Sequence, residues 1–147
     1  MDVTRRSDYA LRMLRATYRE RGSYRSVAQI AQEEGIPYAF ARSIQHDLVE
    51  AGLLSTVRGA KGGTALAVDP CETTMLQVLE AVGGPLSIAP CSEEPAACAK
   101  QPECAFNKLW QGADALVSQY FGSITLSDIL EQGASNAVVS RALASDS

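Results

Sequence analysis

The sequence predicts a mainly helical chain carrying one small β-hairpin. Apolar residues recur at helical spacing through most of its length, and three segments open on a Ser/Thr-x-x-Gln/Asp cap. Only residues 53–68 read as strand, around a glycine-rich centre. At 147 residues, 46% hydrophobic and 20% charged, the chain suits one domain, or one domain plus an oligomerisation element.

Residues 7–20 place Leu11, Leu14 and Tyr18 at i, i+3 and i+7, with arginines between them, Ser7 as N-cap and Gly22 near the end. Residues 26–34 open on the capping box Ser26-x-x-Gln29 and turn Val27, Ile30 and Ala31 inward. Gly35 follows, where a left-handed residue ends a helix. Pro37 then starts a third helix with Ala41, Ile44, Leu48 and Ala51 inward, closed by Gly52. Its opposite face presents Ala39, Arg42, Ser43 and His46.

Two short helices about a glycine turn make a helix-turn-helix, although a plain helix pair in a bundle has the same pattern. The next segment decides between them. Leu53–Val57 reads as a strand, residues 58–63 (RGAKGG) as a turn, and Thr64–Val68 as the returning strand. A hairpin directly after a helix-turn-helix is a wing, so residues 1–70 are expected to form a winged helix-turn-helix that binds double-stranded DNA. Candidate contacts are Tyr38, Arg42, Ser43 and His46 on the third helix and Arg58 and Lys61 at the wing tip, cations suited to phosphate and glycines that let backbone approach it. A nucleotide-binding loop is excluded, because no Ser or Thr follows Lys61. Charge agrees in sign: residues 1–70 hold ten Lys/Arg against eight Asp/Glu, and residues 71–147 hold three against nine.

Residues 71–103 read as a linking helix followed by a cysteine-rich loop. Thr74-x-x-Gln77 caps the helix, Met75, Leu76, Leu79 and Val82 face inward, and Gly83-Gly84-Pro85 ends it. Residues 86–103, with Pro90, Pro95 and Pro102, read as loop. From Cys104 to Gly122 runs the longest helix, whose stripe of Phe106, Leu109, Trp110, Ala113, Leu116, Val117 and Tyr120 is wider than one small domain needs. Packing on the chain's own core is the plainer account; a homodimer seam suits the aromatic content better. Thr125-x-x-Asp128 caps a short helix within the 104–132 segment, and the Ala/Ser-rich tail 133–147 is expected to fray.

Cys91, Cys98 and Cys104 fall as C-x6-C-x5-C, unlike the C-x2-C of zinc ribbons, and the single histidine, His46, lies on the reading face. Cys71 stands apart and reads as a small buried hydrophobe and not a ligand. Three thiolates on one loop suit an iron–sulfur cluster with a fourth ligand from elsewhere. A redox-sensing thiol set and inert cysteines use the same spacing. No apolar run can span a bilayer and no signal-peptide pattern opens the chain, so a cytoplasmic protein with reduced cysteines is expected. No Ser/His/Asp set or catalytic carboxylate pair is recognisable, which argues against an enzyme. A zinc- or cluster-binding module without DNA function remains the alternative from another class.

With these motifs in order, the chain resembles the Rrf-two family of bacterial winged-helix regulators, with its IscR, NsrR and RirA branches. The resemblance rests on TRRSDYALRML, VAQIAQEEGI, LVEAGLLSTVRGAKGGTAL, TTMLQVLEAVGG, the three-cysteine loop, LW and SITLSDIL, and covers nearly the whole chain. It implies a homodimeric repressor with a cluster on Cys91, Cys98 and Cys104, [4Fe–4S] rather than [2Fe–2S], that senses nitric oxide, redox state or iron. In the cluster-biogenesis branch a histidine follows the third cysteine by three positions, where this chain has Asn107. In the nitric-oxide branch an N-terminal aspartate of the partner subunit serves as fourth ligand, and Asp8 matches that position; the resemblance therefore leans to the NsrR type. A first-turn carboxylate favoured by the helix dipole is the plainer reading of Asp8. Arg42 replaces an acidic residue of the biogenesis branch and is the natural partner of guanine O6/N7.

Overall fold

The computed structural model describes residues 3–94, 98–100 and 103–145. The N-terminal half is built from α1 (Arg5–Arg19), α2 (Val27–Glu34), α3 (Tyr38–Glu50), β1 (Leu54–Val57) and β2 (Gly63–Leu66). Its hydrophobic core holds Ala10, Met13 and Leu14 of α1, Ile30 of α2, and Ala41, Ile44 and Leu48 of α3, with Leu54 and Val78 closing it. Burial at every third or fourth residue selects three crossing helices, and the two-stranded sheet lies at their edge.

Local chemistry sets the ends. Ser26 and Gln29 form the expected capping box, and Gly35 caps α2 in the left-handed region at φ 65°. Thr4, rather than Ser7, caps α1: its hydroxyl accepts from the Ser7 N–H, and Ser7 is buried one turn in. Ala51 is exposed at the end of α3 instead of extending its buried stripe.

The hairpin pairs Leu54 with Leu66, Ser55 with Ala65, Thr56 with Thr64 and Val57 with Gly63, one residue or more tighter than the sequence suggests. Arg25 supplies a further rung, on the other side of β2: its N–H donates to the Thr64 carbonyl at 2.9 Å, and the Thr64 N–H donates back at 2.7 Å. Gly63 is forced by this rung. A Cβ there would lie 2.3 Å from the Arg25 carbonyl oxygen, and one on Gly62 would lie 2.1 Å from that of Val57. These two glycines close the wing on its neighbours; their role as a phosphate approach is not needed to explain them.

After the wing come α4 (Met75–Gly83), α5 (Pro90–Glu93), α6 (Ala105–Gly122), α7 (Leu126–Gln132), a short 3-10 turn (Gly133–Ser135) and α8 (Ala137–Ala144). Met75, Ile124 and Leu126 form a second core, joined by Leu11 and Leu66 from the first half. A bridge between Thr74 and Thr125 closes it, with the Met75 N–H on the Ile124 carbonyl at 2.8 Å and the Leu126 N–H on that of Thr73 at 2.8 Å.

Two longer stretches also differ from expectation. Residues 86–103 are not all loop, because Pro90 at N1 starts the helical turn that carries Cys91; Pro95 and Pro102 lie outside the described residues. Residues 133–145 are not an irregular tail, because Asn136 accepts from the N–H groups of Val138 and Val139 and starts α8, whose Val138 and Val139 pack on the second core. Residues 146–147 lie outside the described set. Among the described residues, no helix is long and apolar enough to cross a membrane.

Candidate nucleic-acid interface and cysteine loop

One groove runs between the start of α2, α3 and the wing. Tyr38, Arg42 and Gln45 of α3 line one side, and Thr56, Arg58 and Gly62 line the other. Arg42 and His46 also border a smaller depression with Gln45 and Thr56. Tyr38, Arg42, Ser43, His46, Arg58 and Lys61 are all exposed, as a reading surface requires. The backbones of the four on α3, Tyr38, Arg42, Ser43 and His46, are fixed because the opposite face of the helix is locked by Ala41, Ile44 and Leu48. His46 Nε2 lies 3.4 Å from Glu50 Oε1, one turn along the helix.

Ser43 sits on the other flank of α3, beside a residue that spacing did not single out. Arg6 of α1 donates from Nη2 to Ser43 Oγ at 3.1 Å, and from Nε and Nη2 to Asp47 Oδ2. Two further ion pairs stiffen the head. Glu34, buried at the end of α2, accepts from Arg15 at 2.5 Å with Arg19 at 3.6 Å, and that bond holds the Arg15 guanidinium above its ordinary pKa. Arg25, buried beside the wing, pairs with Glu33 and with Glu20 at 3.3 Å. Its bond to Glu33 raises the Arg25 pKa and holds the Glu33 carboxyl below the usual carboxylate range. No spacing rule signals these pairs, because their partners lie on other elements.

The cysteines divide. Cys91 rides on α5, and Cys104 is the N-cap of α6 with no capping bond from its side chain. Buried Asn107, in the first turn of α6, donates from Nδ2 to the Cys91 carbonyl at 3.2 Å, so both cysteine backbones are anchored at one helix end. Cys98 is exposed, and so is Cys71, which corrects its reading as a small buried hydrophobe; none of the four is in a disulfide. Asp8 lies in the first turn of α1 and pairs with Arg12 at 2.8 Å. Among the described residues, no three His, Cys, Asp or Glu side chains come together to hold a metal ion.

The donor types nevertheless fit a cluster: three soft sulfurs, two of them anchored together. Ser92 Oγ, next to Cys91, is buried without a hydrogen-bond partner among the described residues. An orphan donor costs roughly 1–3 kcal/mol unless a bound group accepts from it.

The stripe on α6 also divides. Phe106, Leu109 and Leu116 are 68%, 58% and 70% exposed, so packing on the chain's own core does not account for them. Trp110, Ala113 and Val117 are half-buried. Tyr120 instead packs on the second core, edge-to-face with Phe121 at 5.4 Å.

Comparison with known proteins agrees with this architecture. Residues 3–132 match the Rrf2 family, described as an iron-dependent transcriptional regulator. The transcriptional regulator NsrR of Shouchella clausii is 28% identical over 132 residues, covering 88% of this chain and 89% of that one. IscR of Vibrio atlanticus is 26% identical, covering 89% and 76%. The structure of CymR, the global cysteine regulator of B. subtilis, superposes with a TM-score of 0.72 at 24% identity, over 88% of this chain and 96% of that one. A winged helix-turn-helix followed by a long α6, matched by a family profile across both halves, has one reading: the chain belongs to the Rrf2 family of DNA-binding transcriptional regulators, which are not enzymes.

Proposed function

We propose that the chain is a homodimeric repressor that grips a double-stranded operator with α3 and the wing and releases it when the cysteine loop changes state. The observation that carries this reading is the groove in which exposed Tyr38, Arg42 and Arg58 converge from two elements. In a dimer closed by Phe106, Leu109 and Leu116 of α6, two α3 helices would meet successive major grooves, roughly 34 Å apart.

Division of labour within the groove is testable. Lys61→Ala removes a wing-tip ammonium and is expected to weaken binding to operator and random DNA alike, with a shallower salt dependence. Arg42→Ala is expected to cost about 1–3 kcal/mol at one G·C pair and to flatten preference there. Fluorescence anisotropy on operator, single-substitution and random duplexes checks both. Equal losses for the two variants on every duplex would sink the assignment.

On the sensing side, Cys91, Cys98 and Cys104 would hold an iron–sulfur cluster, [4Fe–4S] by family resemblance, with Asp8 of a second copy as fourth ligand. Such a cluster supplies a centre reactive toward nitric oxide, oxidants and iron loss. The chain's own contribution is mechanical. Asn107 fixes the Cys91 turn to α6, and Asp8 stands on α1, the helix that supports α3.

Anaerobic purification with iron and sulfide counts tests this. The wild type and Cys71→Ala are expected to be brown, and each of Cys91→Ala, Cys98→Ala and Cys104→Ala colourless. Asp8→Ala is expected to keep a cluster that is lost faster to nitric oxide, with weakened coupling to operator affinity. A brown triplet variant overturns the ligand set; an unchanged rate and coupling in Asp8→Ala leaves it a helix-start carboxylate paired with Arg12.

The exposure of Cys98 favours a second reading, a clusterless thiol switch. An iron-free protein whose operator affinity responds to peroxide and recovers with thiol reductant would establish it instead.

A further inference from the structure

We infer that Arg6 is a specificity-determining residue, which locks Ser43 of the recognition helix as a hydrogen-bond donor toward the DNA. The inference rests on the reading of α3 as the base-reading helix and adds a residue from α1 to it.

The geometry is a clamp. Arg6 Nε lies 3.2 Å from Asp47 Oδ2, Nη2 donates to the same oxygen, and Nη2 also reaches Ser43 Oγ at 3.1 Å. Ser43 and Asp47 are one turn apart on α3, so a single guanidinium spans the flank opposite Arg42. Both partners of the ion pair are about one-third exposed, so the clamp lies at the edge of the reading surface and not in the core. Ser43 itself is exposed.

The chemical effect comes from hydrogen-bond inventories. A serine hydroxyl has one proton to donate and two lone pairs to accept with, and its rotor turns to suit the neighbour. Arginine can only donate. With Arg6 on one lone pair, the Ser43 proton must point elsewhere, and the charged donor polarises the hydroxyl into a better donor. In the major groove, guanine O6 and N7, adenine N7 and thymine O4 accept, whereas the cytosine amino group donates. Ser43 held this way favours an acceptor edge and disfavours the cytosine edge. Asp47 makes the arrangement durable: it holds the guanidinium on α3 and is itself neutralised, so that no bare carboxylate faces the phosphates.

The test is operator binding, measured with a duplex library varied at each base pair, for wild type, Arg6→Met, Arg6→Lys, Ser43→Ala, the Arg6→Met/Ser43→Ala double variant and Arg42→Ala. Ser43→Ala is expected to reduce discrimination at one base pair by roughly three- to tenfold. Arg6→Met is expected to reduce it at the same pair by a similar factor, and the double variant to lose no more than either single one. Arg6→Lys keeps the charge but not the fork, and is expected to fail to restore the preference. Asp47→Asn, which loosens the clamp from the other side, is expected to give a smaller loss at that same pair and guards against misfolding of the Arg6 variants. A uniform loss on all duplexes for Arg6→Met, or additive losses in the double variant, would make Arg6 a phosphate contact and overturn the inference. If Arg42→Ala relaxes preference while Ser43→Ala does not, the inference alone fails. If neither changes it, the base-reading role of α3 fails as well.

Discussion

Gly63→Val is expected to dismantle the wing and reduce operator binding to its non-specific level, while the helices stay folded. Any Cβ at this position would sit 2.3 Å from the Arg25 carbonyl oxygen and 2.4 Å from its carbon, and both are backbone atoms with no rotamer to change. The glycine also holds φ +147°, where a β-branched residue is strained. Relief requires the Arg25–Thr64 rung to open, which frees two short backbone bonds and the buried Arg25 with its carboxylate partners. The combined cost is about 2–4 kcal/mol, taken mostly from the hairpin. Amide hydrogen exchange locates it: protection at Arg25 and Thr64 should vanish while that of Ile44 and Leu48 persists. Wild-type protection at Thr64 would contradict the steric argument.

Glu34→Lys is expected to have the largest effect on global stability, with Glu34→Gln the graded control. A carboxylate in the last turn of α2 opposes the helix dipole, so it requires compensation from outside the helix. Arg15 and Arg19 supply it from α1, while Arg12 Nη1 donates to the Glu34 carbonyl at 3.1 Å. The Glu34 side chain is only 5% exposed, so water cannot substitute for these donors. Glutamine keeps the volume and loses the charge, at about 1–3 kcal/mol. Lysine sets a third cation against two others in the same shelter and should leave the head unfolded or molten at room temperature. Urea midpoints order the three proteins, and a Glu34→Gln midpoint equal to wild type would show the pair to be idle.

Local signals are legible in the sequence. The boxes at Ser26, Thr74 and Thr125 each form, because cap and partner lie three residues apart and need nothing else. The wing is legible for a similar reason, although its ends are not: Val68 falls outside β2, and Arg25 joins from a distant loop. Periodicity treats Glu34, Arg25 and Arg6 as polar surface. Their partners are set by how α1 crosses α2 and α3, which no window on the sequence contains. Composition misleads at the C-terminus, where Ala and Ser mask the Asn136 cap and the Val138–Val139 pair. The exposure of Tyr38, Arg42, Ser43 and His46, the face proposed to read DNA, is legible in the spacing of α3. Which of its hydroxyls is free to rotate is not.

The long helix has a mechanical consequence. An 18-residue α-helix is a rod about 27 Å long. Near its far end, Tyr120 and Phe121 are seated in the second core, while Cys104 stands at its other tip. A tilt of roughly 5° at the seated end would carry the cysteine tip through about 2 Å, on the rise per residue of such a rod. In the opposite direction, a displacement of the tip becomes a torque on Met75, Ile124 and Leu126, and through Leu11 on the helix that carries Arg6. In the function proposed above, the cysteine loop would work at the long end of a lever whose short end lies beneath α1 and the helix it supports.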